Sequence, residues 1–192
     1  MIAPAAPTQA VRRIVCIDRE DGTSTALSDA SAPDVKLDPA RPGFSSTRIW
    51  VTDATPARIP GVRETLAQLD RWPQSLEPPP AGSVCRIVSF PPEAGFIGKV
   101  SARDVRNYFE SMGSPGASTA HAKAPHPYMQ KTRTLDFCLV LEGEITLVLD
   151  TAEVHLKAGD TVVQRGSNHA WSNRSNRPCL MAFSSHDGLG GG

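Results

Sequence analysis

The sequence predicts an all-β fold, a closed barrel or sandwich of short antiparallel strands. Two observations predict it. Between Thr134 and Phe183 five strand-like runs follow one another closely: Thr134–Leu141, Glu144–Leu149, Glu153–Leu156, Thr161–Gln164 and Cys179–Phe183. Turn residues punctuate them at Gly143, Asp150, Gly159-Asp160 and Gly166-Ser167. Dense short strands with turn signals argue for a sandwich or barrel rather than a βαβ sheet. No internal repeat is visible.

The remaining elements are placed in chain order. Residues 1–11 are rich in Ala and Pro, as a disordered terminus would be. Arg12–Ile17 and Thr23–Leu27 flank Asp21-Gly22, a turn pair, and read as a hairpin. Thr47–Thr52 and Val84–Phe90 read as strands, the second stopped by Pro91-Pro92. Between them Val62, Thr65, Leu66 and Leu69 line one face of a short helix that Trp72-Pro73 ends. Ser101 and Asp104 form a capping box for a helix carrying Val105, Tyr108, Phe109 and Met112 at helical spacing, with Gly113 at its C-terminal end. The expected organisation is a disordered terminus over 1–11, a β extension over 12–83, a barrel over 84–184 and a flexible Gly-rich tail over 185–192.

Composition narrows the function. The 192 residues suit one domain with a real core. Lys plus Arg and Asp plus Glu stand at 20 each, and no basic run is present to neutralise phosphates, which argues against a nucleic-acid partner. Nowhere do enough apolar residues run together to cross a membrane, and the Ala/Pro-rich start is not a secretory signal. A cytoplasmic protein is expected. Cys16, Cys85, Cys138 and Cys179 lie far apart, with no CxxC pair, and read as small core residues. A nucleophilic Cys138 inside the barrel is the alternative reading.

The segment Gly159-Asp160 … Gly166-Ser-Asn-His169-Ala-Trp171-Ser-Asn173 carries the family signal. It resembles the second motif of the cupins, with Arg165 where Pro is common and a turn one residue short. The first cupin motif aligns through Leu141–Ile145, which puts the family's acidic ligand on Asp136 and its two His on Gln130 and Thr132. Both imidazoles are absent. The resemblance covers roughly residues 84–184 and implies a cupin double-stranded β-helix, or jelly roll, with an N-terminal strand extension and one or two short helices. It also extends to small single-domain cupins of bacterial catabolic and fungal polyketide gene clusters, some described as oxidoreductases.

The resemblance implies a small-molecule ligand in the barrel, a homodimer, and a divalent metal (Fe, Mn, Ni or Zn) held by His169, Asp136 and Gln130. Two missing imidazoles weaken that metal set, because amide and hydroxyl oxygens are poor donors to such ions. His121 or His126 from the preceding loop would have to replace them. Without metal, Asp136 beside His169 should raise the imidazole's pKa and make an acid/base pair. That pair would serve a lyase, isomerase, decarboxylase or oxidoreductase; otherwise it is a buried hydrogen-bonded pair in a non-catalytic binder or sensor. Residues two apart on a strand share a face, so Gln130, Thr132, Thr134 and Asp136 should line the pocket together. Trp171 should wall it, and Arg133 or Arg165 at its mouth could grip a carboxylate. Asn173 should bond the backbone at the barrel's edge.

Overall fold

Alternation of buried and exposed side chains builds the sheets. In the strand Ser83–Phe90, Val84, Arg86, Val88 and Phe90 are buried and their neighbours are less so. The computed structural model describes residues 10–59, 61, 65 and 72–189. Its strands are β1 Arg12–Asp18, β2 Ser24–Ser31, β3 Val35–Leu37, β4 Ser45–Thr52, β5 Ser83–Phe90 and β6 Thr134–Glu142. They continue with β7 Glu144–Leu149, β8 Glu153–Lys157, β9 Thr161–Arg165, β10 His169–Ser172 and β11 Cys179–Asp187. The helix α1 covers Ala102–Ser111.

Two antiparallel sheets face each other as a jelly roll. One runs β3-β4-β5-β11-β6-β9 and the other β10-β7-β8. Their inner faces share one core, in which Val88, Phe90, Cys138, Val140 and Met181 of the larger sheet meet Ile145, Leu147, Leu156 and Trp171 of the smaller. Such burial of apolar surface is the main force holding the layers together. Gly143 turns β6 into β7 at φ +78, and a Cβ there would lie 2.7 Å from the Pro178 carbonyl oxygen. Only glycine meets both demands.

Several expectations change in detail. β3 and β10 are strands that the turn signals did not reveal. β11 continues through Asp187, paired with both β5 and β6, so residues 185–187 belong to the barrel rather than a tail. β3 and β4 extend the barrel's own larger sheet, joined through β5. The hairpin β1–β2 stands as a separate two-stranded sheet without a buried residue, so Cys16 is exposed rather than part of a core. Residues 1–9 and 190–192, and Val62, Leu66 and Leu69 of the expected helix, lie outside the described residues; Thr65 is buried.

The helix α1 closes one end. Ser101 Oγ accepts the Asp104 N–H and Asp104 Oδ2 accepts the Ser101 N–H, the reciprocal cap expected. Val105 and Phe109 pack on Ala117 and Tyr128, leaving Tyr108 to reach Phe44 and the barrel mouth.

Candidate functional site

A cavity of about 80 Å³ opens between the sheets, several times the roughly 10–15 Å³ that one water needs by this measure. Gln130, Thr132, Thr134, Asp136, His169 and Trp171 all line it. The shared face holds although β6 begins only at Thr134. Gln130 reaches the site through an isolated bridge to His169, whose backbone N–H and C=O exchange hydrogen bonds with Gln130 at 2.9 and 2.8 Å. Gly166, at φ +68, makes the preceding turn; a Cβ there would lie 2.9 Å from the Thr132 carbonyl oxygen.

His169 is buried at the start of β10. Its Nδ1 lies 2.8 Å from the Ser167 carbonyl oxygen, which can only accept, so Nδ1 carries the proton. Nε2 therefore bears the lone pair and accepts from the Gln130 amide at 3.3 Å. Burial lowers the His169 pKa below 6.5; the Ser167 hydrogen bond and the charge of Asp136 oppose that shift without reversing it. This corrects the expected raised pKa. Desolvation outweighs a carboxylate that does not touch the ring, since Asp136 Oδ2 accepts from Thr134 Oγ1 at 3.1 Å instead. Thr134 is in turn 2.7 Å from Thr132 Oγ1, so the three form a ladder along one wall.

Trp171 walls the cavity, its ring edge-on to His169 and to Phe183. Asn173 is structural: its Nδ2 donates to the Phe90 and Arg177 carbonyls at 2.8 Å each. Arg133 does not serve the site. It is exposed on the outer face, as a residue one step out of phase with Thr132 and Thr134 must be. Arg165 is exposed as well. His121 is exposed, but His126 is buried, bonded to Glu93 at 3.3 Å and accepting the Tyr128 N–H at 3.1 Å. It borders a smaller void behind Trp171 rather than the main cavity. Burial pushes Glu93 up, but hydrogen bonds from His126 and Ser172 outweigh it and hold this carboxyl below its usual range. Cys138 lies in the apolar core, where burial pushes its thiol up to about 12, which disfavours the thiolate a nucleophile needs.

Two arginines complete the wall. Arg86 of β5 is 5% exposed; its guanidinium donates to the Leu76 carbonyl at 3.1 Å and to the Ser75 carbonyl. Burial lowers its pKa to about 10, which leaves it cationic at neutral pH. Arg41 stacks on Phe44, Tyr108 and Tyr128, 3.8 to 4.2 Å from each ring centre, and pairs with buried Asp38 at 2.6 Å. The alternation of β5 already placed Arg86 on the inward face with Val84 and Val88; that signal could have found it. Arg41 had none, because it sits in an irregular turn.

Four buried polar atoms on this wall have no hydrogen-bond partner: Arg41 Nη2, Arg86 Nε, Asp136 Oδ1 and Trp171 Nε1. Each such group costs roughly 1–3 kcal/mol if left unpaired. The implied divalent metal would use only Asp136 among them. Among the described residues no three His, Cys, Asp or Glu converge, and the other strong donor, His169 Nε2, is met by an amide N–H rather than an oxygen. Arg86 adds a fixed positive charge to the same wall. One imidazole and one carboxylate beside a guanidinium do not fit a divalent transition metal.

The family comparison agrees with the motif. The family model described as the cupin domain matches residues 115–184. Phomopsin biosynthesis cluster proteins C' and D of Diaporthe leptostromiformis are each 34% identical over 155 residues, 69% of this chain and 66% of theirs. The chain thus spans about two thirds of these curated relatives. The cupin-domain-containing oxidoreductase virC of Hypocrea virens (strain Gv29-8 / FGSC 10586) is 29% identical over 129 residues, 65% of this chain and 48% of that protein. A cupin 2 conserved barrel domain protein from Salinispora arenicola CNS-205 aligns with a TM-score of 0.38 and 17% identity, covering 80% of this chain and 82% of that one. With the jelly roll, the Gly159–Asn173 motif and the family match in agreement, the chain belongs to the cupin superfamily.

Proposed function

We propose that the barrel binds a small organic acid and that neutral His169 moves a proton on it, without a metal. The carrying observation is the fixed tautomer: Nδ1–H is held by Ser167, and the Nε2 lone pair is met only by an amide that a ligand can displace. A neutral imidazole in a water-poor cavity is a competent base at neutral pH. Substrate C–H or O–H would give its proton to Nε2, and the imidazolium formed would return it at another atom or to a leaving group. Isomerisation and elimination need nothing more. Asp136 would stabilise the transient imidazolium through space.

The test is turnover of small acids by the purified protein, with His169→Ala and exhaustive chelation as the two perturbations. The reading expects His169→Ala to lose about 100-fold or more and chelation to change nothing. Stoichiometric metal whose removal abolishes turnover overturns it. Binding without turnover favours the alternative, a non-catalytic binder or sensor.

We also infer a homodimer through the outer face of the larger sheet. Leu135, Phe137, Leu139 and Leu141 of β6 and Val163 of β9 are exposed there, with Phe137 and Val163 paired in register. A contiguous apolar patch of this kind marks an interaction surface, and a two-fold axis lets one patch cover its copy. Sedimentation should give a dimer that the double change Phe137→Ser, Leu139→Ser converts to monomer. A monomeric wild type removes the inference.

A further inference from the structure

Two of the unpartnered atoms on the cavity wall, Arg86 Nε and Asp136 Oδ1, belong to groups of opposite charge. Arg86 has no carboxylate within ion-pairing distance among the described residues; its other two nitrogens are fixed by backbone carbonyls. Its cross-strand neighbour Arg48 is itself a cation, engaged by Asp34 and the Pro73 carbonyl, and only adds repulsion. Asp136 is 7% exposed, uses Oδ2 on a neutral hydroxyl, and has no cation at ion-pairing distance. The two are coupled through space but do not touch. They sit on β5 and β6 with β11 between them, two strand spacings across and two residues along, roughly 12 Å apart at the backbone. Ser185 of β11, opposite Asp136 and Val84, lines the gap.

Burying two unpaired ions is costly, and a bound group that pairs both removes the cost. The rest of the wall does not add to the charge: Arg41 is neutralised by Asp38, and His169 is neutral. A complementary ligand therefore carries one anion and one cation a few ångströms apart, with no net charge. We propose that the barrel is built for a zwitterionic amino-carboxylate, its carboxylate on Arg86 Nε and its ammonium on Asp136 Oδ1. Phe44, Phe90 and Phe183 would hold its apolar body. A phosphate does not suit this wall, because one uncompensated guanidinium cannot balance a dianion that Asp136 repels. The proposal rests on the reading of the cavity as a ligand site, and it names the substrate class of that site.

The test is equilibrium binding by calorimetry to the full chain. The probes are the twenty common amino acids with β-alanine and 4-aminobutanoate, and against each binder its hydroxy acid, its amide and its amine. A neutral alcohol, 3-methylbutanol, is measured in parallel, with Trp171→Ala to confirm that it occupies the barrel. At least one zwitterion should bind, and losing either charged end should weaken it by about 100-fold. Arg86→Met should abolish the preference for the carboxylate and Asp136→Asn the preference for the ammonium, with circular dichroism confirming that both variants fold. Tighter binding of the hydroxy acid, the amide or the amine, or no binding of any zwitterion while the alcohol binds, overturns the anchor and leaves the cavity reading standing. Failure of the alcohol and the zwitterions alike overturns both.

Discussion

Along β6 the side chains that point into the barrel are Thr134, Asp136, Cys138 and Val140, all buried, and those that point outward are Leu135, Phe137, Leu139 and Leu141, all exposed. A sheet with one face in water normally shows the reverse, apolar within and polar without. The inner face grades along the strand. Thr134 and Asp136 line the cavity, whereas Cys138 and Val140 join the apolar core two and four residues further on. One strand thus serves as site wall at one end and as core at the other, while its outer face waits for a cover. The difference teaches that burial alone does not identify the core of this barrel. The inward polar residues mark where a ligand belongs, and the outward apolar ones mark where protein does.

The largest expected effect breaks the comparison at the core end. Val140→Ala removes two buried methyl groups from a position 1% exposed, and transfer plus cavity terms predict a loss of about 2 kcal/mol. Leu139→Ala, one residue away on the outer face, removes more apolar surface but leaves no enclosed cavity. In a protein held monomeric it should cost no more than about 0.5 kcal/mol. Urea unfolding at several protein concentrations separates the two. The Leu139 variant should become costlier as concentration rises, because only the dimer buries that side chain.

Much of this comparison was legible from period-2 alternation alone. Gln130, Thr132, Thr134 and Asp136 share a wall as spacing two requires, and Arg133 faces away for the same reason. The Gly159–Asn173 motif was enough to place His169 and Trp171. What could not be read is set by long-range contact. The His169 pKa depends on how deeply two sheets bury the ring, and a sequence gives the neighbour Asp136 without that depth. His126 looked like a loop residue because its partner Glu93 lies 33 positions away. Arg41 joins the wall only because Phe44, Tyr108 and Tyr128, from three separate segments, close around it. β10 carries no periodic signal of its own because its four residues, His169–Ser172, are all buried, so only the motif set His169 and Trp171 on a strand.

The smaller effect sharpens the polar end through pH. His169 has a folded pKa below the 6.5 of its unfolded state, so the unfolded chain binds the extra proton first. Its contribution to stability is full above pH 6.5 and is lost as the pH falls from there through the folded value. Glu93 begins to act at lower pH. Its folded pKa lies below 4.5, so its contribution is present above that pH and lost as the pH falls through the lower folded value. Acid unfolding followed by circular dichroism should therefore show two limbs. His169→Gln, which cannot titrate, should flatten the limb that begins near pH 6.5 and leave the one below 4.5 in place; Glu93→Gln should do the converse. If His169→Gln leaves the upper limb unchanged, the imidazole is not desolvated in the barrel, and the neutral base of the proposed chemistry goes with it.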